Sequence, residues 1–341
     1  MKASLAIILA ACAIACSEPA PVAPHLVARS RLAKGSLLQV SAWTTDEPAT
    51  VAVIEQVFRE FDRLESLLSV WTPGSDVVRL NDAAGQAPVV VSDDTITVLE
   101  AAAQASEWTG GKFDITFGTL AGLWKFDHDQ DNTVPDQRAI EARLPLVDYR
   151  LVRVDRAART AYVARAGTRI HLGGIGKGYA VDRAAAILRE RGLSDFLIHS
   201  GGDLYVAGLN NGAPWKLGIA DPRGSGGRSF ATLDLSNGTF STSGDYERFF
   251  IKDGVRYHHL IDPDSGRPAT GTRSVTIVTD SAMLADVLST GVFIMGPVAG
   301  MALVERLPQV EGVIVSASNQ VTISSGLTGR LALIAPPTDT P

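Results

Sequence analysis

The chain has 341 residues, 45% hydrophobic and 20% charged, which is enough apolar material for a sizeable core and too much for a disordered chain. Lysine and arginine number 31 against 37 acidic residues, and a net charge of −6 argues against a protein that coats nucleic acid, where clustered cations do the binding. The two cysteines, Cys12 and Cys16, lie at the extreme N-terminus, so the folded body has no disulfide framework, zinc knuckle or Cys-x-x-Cys redox centre.

Residues 1–16 have the build of a bacterial signal peptide: one cation at Lys2, a short uncharged apolar stretch, small residues, then a cysteine. Leu9-Ala10-Ala11-Cys12 has the better local pattern for lipidation. Ala13-Ile14-Ala15-Cys16 gives the more usual leader length, and we place the acyl chains on Cys16. Plain secretion without lipid is the alternative. No later apolar stretch approaches the ~18 residues of a membrane span. The expected location is therefore the periplasmic side of the inner membrane, reached through a lipid anchor alone.

Residues 17–29 are rich in Pro and Ala and read as a linker. Residues 37–43 read as a strand. In residues 51–68, Val51, Ile54, Val57, Phe58, Phe61, Leu64, Leu67 and Leu68 recur with a helical period. Residues 71–81 carry Pro-Gly turn chemistry. Ser92 is a candidate N-cap for a helix over 95–108. Strands are predicted at 149–154 and 161–172, then a helix at 179–191 stopped by Gly192. Shorter strands follow at 196–199, 215–220, 230–235 and 274–278. Helices are expected at 282–295 and 298–307, and a hairpin at 312–317 and 321–324 about a Ser318-Asn319 turn. With no strict βαβ rhythm, the expected class is α+β, mixed sheets flanked by helices. Residues 30–330 form the domain and 331–341 a tail.

Chemistry concentrates in few places. His171-Leu-Gly-Gly-Ile-Gly-Lys-Gly-Tyr-Ala-Val-Asp182 puts glycines where a strand enters a helix, which suits a phosphate cradle and suits a tight turn equally well. Gly178 follows Lys177 where a Walker loop needs Ser or Thr. Asp286 and Thr290 share one helix face, a hard-cation pair or a buried polar pair. The His258-His259 pair offers a proton acceptor or a structural hydrogen bond. Residues 127–132 have the acidity of a calcium loop without its Gly and distal Glu, and read as a solvated loop.

Together, and in this order, several runs resemble the ApbE family of FAD:protein FMN transferases over about residues 30–327. They are Leu67-Leu-Ser-Val-Trp-Thr-Pro73 with Arg79-Leu-Asn81, and Gly111-Lys-Phe-Asp-Ile-Thr-Phe-Gly118 with Leu123-Trp-Lys-Phe126. The glycine run, Gly201-Gly202-Asp203 and Thr242-Ser-Gly-Asp-Tyr246 come next. His259-Leu-Ile-Asp-Pro263, Ser265-Gly-Arg-Pro268 and Ala285-Asp286 through Thr290 complete the set.

The resemblance implies an α+β flavin transferase fold. It implies Mg²⁺-dependent transfer of FMN from FAD to a Thr or Ser hydroxyl of an exported acceptor, with AMP released. Such acceptors carry a Ser-Gly-Ala-Thr-like segment. Trp71, as the stacking aromatic, Lys112, Phe113, Asp114, His171, Lys177 and Ile261 would line the FAD site. By themselves Trp71 and Phe113 would read as core. The Gly174 carbonyl with Asp286, Ser289 and Thr290 would hold the metal, and His259 would be the catalytic base. Three positions depart from the family pattern: Lys34-Gly35-Ser36 replaces Met-Gly-Thr, His171 replaces an Asp, and Trp71 replaces a Tyr. The alternatives are an Mg²⁺-dependent FAD pyrophosphatase and a lipoprotein that only binds FAD.

Overall fold

A computed structural model describes residues 23–33, 35–126 and 129–340. The leader, with Cys12 and Cys16, lies outside the described residues, as do Lys34, Asp127 and His128. An eight-stranded antiparallel sheet forms the centre, in spatial order His25–Ala33, Ser36–Thr44, Phe196–Ser200, Asp203–Ala207, Gly238–Gly244, Thr272–Thr279, Glu311–Ser316 and Val321–Ile323. This is the α+β class expected.

Strand alternation splits the sheet's side chains into two cores. Leu38, Val40, Phe196, Ile198, Val275, Ile277 and Ile314 face a helical layer. That layer contains Glu47–Leu68, Gly176–Glu190, Ala282–Met295 and Pro297–Arg306, with Asp93–Trp108 packed on its outer side. Val206, Phe240, Val278, Val313 and Val315 face the opposite way. They pack on a three-stranded sheet of Trp215–Ala220, Ser229–Leu235 and Leu331–Leu333. A third, smaller cluster joins Leu120, Trp124, Ile140, Phe250 and Ile261.

The periodic segments fold as read. In Glu47–Leu68, Ile54, Val57, Phe61 and Leu64 are fully buried, each contributing roughly 1.5–3 kcal/mol. Asp46 accepts the Ala49 N–H at its start, and Ser92 caps Asp93–Trp108. Ala282–Met295 has the expected bounds.

Several boundaries differ. The linker ends sooner than read, because residues 25–29 belong to strand His25–Ala33, paired along its length with Ser36–Thr44. The turn-rich stretch holds a short helix, Asp76–Asp82, started by the Ser75 side chain. The strand at 161–172 shrinks to Thr160–Val163, and 149–154 divides into a 3-10 turn and Val152–Asp155. The helix read from 179 begins at Gly176, inside the glycine run.

Within the expected tail, residues 331–338 are tied to the domain. Leu331–Leu333 pairs with Ser229–Leu235. Beyond it, Thr338 donates from N and Oγ1 to Asp221, and Arg273 donates to the Thr338 carbonyl. A Leu-Ala-Leu step completes an open sheet edge, and the buried Asp221 carboxylate then fastens the chain around Thr338.

Candidate active site

The site forms where the glycine run meets the Ala282–Met295 helix. The helix Gly176–Glu190 starts with no side-chain cap, so its first amides are left for other acceptors. The Gly178 N–H donates to Asp286 Oδ2 at 3.0 Å. A Cβ on Gly178 would lie 2.3 Å from the Ala282 carbonyl oxygen, so only glycine permits this approach. One turn further on, half-buried Asp182 accepts the Ala282 and Met283 N–H groups and the Ser281 hydroxyl. The two helices are therefore pinned together at both ends of their contact.

Gly174 lies beside Phe113 and Thr290, whose nearest atoms stand 3.2 and 3.4 Å from the position its Cβ would occupy. Six residues expected at the site, Phe113, Gly174, Lys177, Asp286, Ser289 and Thr290, thus converge. The Ser289 hydroxyl donates to the Asp286 carbonyl at 2.9 Å and lies 2.8 Å from Ser243 Oγ. Ser243 Oγ is 3.3 Å from Thr290 Oγ1. Lys177 Nζ donates to the fully buried Asp203 at 2.7 Å. Asp203 also accepts the Ser241 hydroxyl.

Burial, and next the charge of Asp203, push the Asp286 carboxyl up to about 7. Burial works against the Lys177 ammonium, but Asp203 and Asp286 outweigh it and hold the lysine above its ordinary value. One ammonium thus faces two buried carboxylates.

Among the described residues no group of three or more His, Cys, Asp or Glu could hold a metal. The donors present are one carboxylate, hydroxyls and a glycine backbone. That oxygen set fits a hard cation such as Mg²⁺, which takes few protein ligands and completes its shell with water and phosphate oxygens.

The two histidines separate clearly. His258 is buried edge-on to Phe293, with Nε2 donating to the Ala269 carbonyl at 2.8 Å and Nδ1 accepting the Leu260 N–H at 3.3 Å. His259 lies across from Arg248. Its backbone N–H and its Nδ1 both face the Arg248 carbonyl, at 3.1 and 3.3 Å. A carbonyl can only accept, so Nδ1 carries the proton and Nε2 keeps a lone pair. Burial, then the charges of Arg248 and His258, holds the His259 ring well below the usual imidazole range, neutral and ready to take a proton.

Burial also lowers the His258 pKa. The unfolded chain then binds this proton more tightly than the fold does. Stability from neutral His258 is complete above about 6.5 and is lost as pH falls toward the lowered folded value. Urea unfolding between pH 8 and 5 should show that loss, and His258→Gln should flatten it. An unchanged slope in the variant would assign the loss to another group.

The other expected site residues have partners outside this cluster. Lys112 Nζ bridges Asp262 and Asp264, 2.8 Å from each, which ties its loop to the strand Ile261–Asp262. Ile261 itself is buried in the third apolar cluster. Asp114 directs its carboxylate inward, Oδ1 to Thr116 and Oδ2 to the Tyr149 N–H, and burial raises it to about 6. His171 Nδ1 accepts the Gly173 N–H at 3.0 Å, and the ring tilts against Phe117. Trp71, 62% exposed, stands on the turn after Glu47–Leu68.

Sequence reading passed over Asp203, Ser241 and Ser243 as site residues. Asp203 and Ser243 fall within quoted motif runs, and Ser241 and Ser243 alternate along Gly238–Gly244, so period two was the available signal.

An α+β scaffold thus sets a glycine-lined helix start beside a carboxylate–hydroxyl pair. The family model for ApbE matches residues 35–314, and the chain belongs to the ApbE family; it is a transferase. It is 34% identical over 322 residues to an FAD:protein FMN transferase of Treponema pallidum (strain Nichols), covering 90% of this chain and 89% of that protein. A Klebsiella pneumoniae (strain 342) protein of the same name is 30% identical over 297 residues, with 87% and 91% covered. The ApbE protein of Thermotoga maritima superposes with a TM-score of 0.82 at 33% identity, covering 90% of this chain and 99% of that one. The flavin transferase ApbE of Vibrio cholerae gives 0.81 at 27%, with the same coverage.

Proposed function

We propose that the chain is an FAD:protein FMN transferase that moves FMN from FAD to a Thr or Ser hydroxyl of an exported acceptor protein. The observation that carries this reading is the placing of Gly174, Lys177, Asp286 and Thr290 in one site by a chain whose curated relatives bear that name. The acceptor oxygen bonds to the flavin-side phosphorus, the pyrophosphate P–O bond breaks, and AMP leaves with the bridging oxygen. His259 Nε2 takes the hydroxyl proton, and its Nδ1–H on the Arg248 carbonyl keeps the ring oriented. The N-terminal end of the helix Gly176–Glu190 directs the positive end of its dipole toward the phosphates. Mg²⁺, held by Asp286, Thr290, Ser289 and the Gly174 carbonyl, supplies neutralisation of phosphate charge when bound. No enzyme nucleophile is required, so a body without cysteine meets the chemistry. Trp71, Lys112, Phe113, Asp114, His171 and Ile261 belong to the walls of the FAD site.

One assay tests the reading. The protein is incubated with FAD, Mg²⁺ and an acceptor domain carrying a Ser-Gly-Ala-Thr-like segment. Fluorescent acceptor with AMP supports it; free FMN with AMP makes the protein a pyrophosphatase; unchanged FAD makes it a carrier.

We infer that this activity lies outside the cytoplasm, with the chain anchored through Cys16; the leader-like pattern of residues 1–16 supports it. No helix among the described residues is long and apolar enough to cross a membrane. Cys16→Ala is expected to move the protein from the membrane to the soluble exported fraction with activity unchanged on a soluble acceptor. Membrane retention that is lost only when Cys12 is changed moves the anchor there, and retention with both replaced ends the lipoprotein reading.

A further inference from the structure

We propose that Asp203 is a positioning residue that holds the Lys177 ammonium away from Asp286 and so leaves the Asp286 carboxylate to a divalent cation. The inference rests on the metal site proposed above. Lys177 is the immediate neighbour of Gly178, whose N–H already binds Asp286, so the lysine starts within the reach of that carboxylate. Both carboxylates act on its charge, yet its hydrogen bond at 2.7 Å goes to Asp203. Asp203 is well fixed for that task. It is fully buried at the start of the strand Asp203–Ala207, and its second oxygen accepts the hydroxyl of Ser241 from the neighbouring strand.

The charge balance gives the arrangement its purpose. Lys177 and Asp203 form an internally neutral pair. Asp286 is left with one backbone N–H as partner and with its charge available to a cation. Without the Asp203 carboxylate, the half-buried ammonium would turn to the other carboxylate that acts on it, Asp286. A cation would then have to displace an ion pair before it could bind. Asp203 hydrogen-bonds none of the cation donors; its own charge disfavours the ionised Asp286, and its positioning effect runs through the lysine.

The test uses the whole exported chain in three variants: Asp203→Asn, Lys177→Met and the double variant. Binding of Mn²⁺, as a probe for Mg²⁺, is measured by calorimetry without FAD, with thermal unfolding run beside it. Asp203→Asn is expected to weaken Mn²⁺ binding on the order of 10- to 100-fold with little change in melting temperature. The double variant should recover to within about threefold of Lys177→Met, because the competing ammonium is gone. A crystal structure of Asp203→Asn should show Lys177 Nζ bonded to Asp286.

Parent-like Mn²⁺ binding by folded Asp203→Asn would overturn the proposal, as would a double variant as weak as the single. A lysine that stays clear of Asp286 in the crystal would overturn it too, whatever the metal does. A parent protein that binds no Mn²⁺ while the lysine does swing to Asp286 would instead refute the metal reading and leave the positioning role standing.

Discussion

Replacing Asp286 with alanine is expected to lower FMN transfer on the order of 10³-fold and to remove its response to Mg²⁺. The carboxylate is the one anionic side chain among the proposed cation donors, and the rest are neutral oxygens of Gly174, Ser289 and Thr290. No second cluster of ligating side chains stands by among the described residues to replace it. The fold should survive the change. Asp286 is 3% exposed, and burial already disfavours its charged form, so removing it also removes a desolvation penalty. The Gly178 N–H loses its acceptor, which costs roughly 1–3 kcal/mol, and alanine is the better helix former. Steady-state rates across a Mg²⁺ titration, with thermal unfolding as control, measure both effects. Parent-like turnover with a parent-like Mg²⁺ requirement would remove Asp286 from the metal site.

His259→Asn is expected to transfer FMN on the order of 10²-fold more slowly while binding FAD with near-parent affinity. Asparagine can present an N–H close to the place of His259 Nδ1 and so keep the contact with the Arg248 carbonyl. It has no basic nitrogen at the place of Nε2. The variant therefore separates proton transfer from local structure. The low His259 pKa adds a pH signature with a definite sign. The ring stays neutral as pH falls past 6.5, so His259 adds no acid limb to kcat/KM near that value, and a limb near 7 in the parent belongs to Asp286 and persists in His259→Asn. Equal losses of FAD affinity and rate would make His259 structural, and an active His259 variant beside an inactive His258 variant would exchange their roles.

Much of this was legible locally. A helical period over residues 51–68, a serine cap before Asp93, and the mostly apolar run, broken by one charge at Asp286, that forms Ala282–Met295 each depend on residues a few positions apart. The glycine run and the Asp286–Thr290 spacing are equally local, so the centre of the site could be named from the chain alone. The family resemblance joined them into one cofactor site.

What the sequence by itself determined is therefore the inventory: an α+β chain with a glycine-lined helix start, one carboxylate–hydroxyl pair and two adjacent histidines. Only the tertiary structure decided the partners. Lys177 and Asp203 are 26 residues apart, and Asp286 reaches the Gly178 amide across 108, distances over which no periodic pattern carries information. The histidines differ because alternation along Val255–His258 and beyond turns one ring into the core and the next toward the Arg248 carbonyl. The first strand and the C-terminal segment look like linker and tail in isolation. They become ordered because each completes an open sheet edge whose backbone groups need partners, and that edge exists only after the rest of the chain has folded.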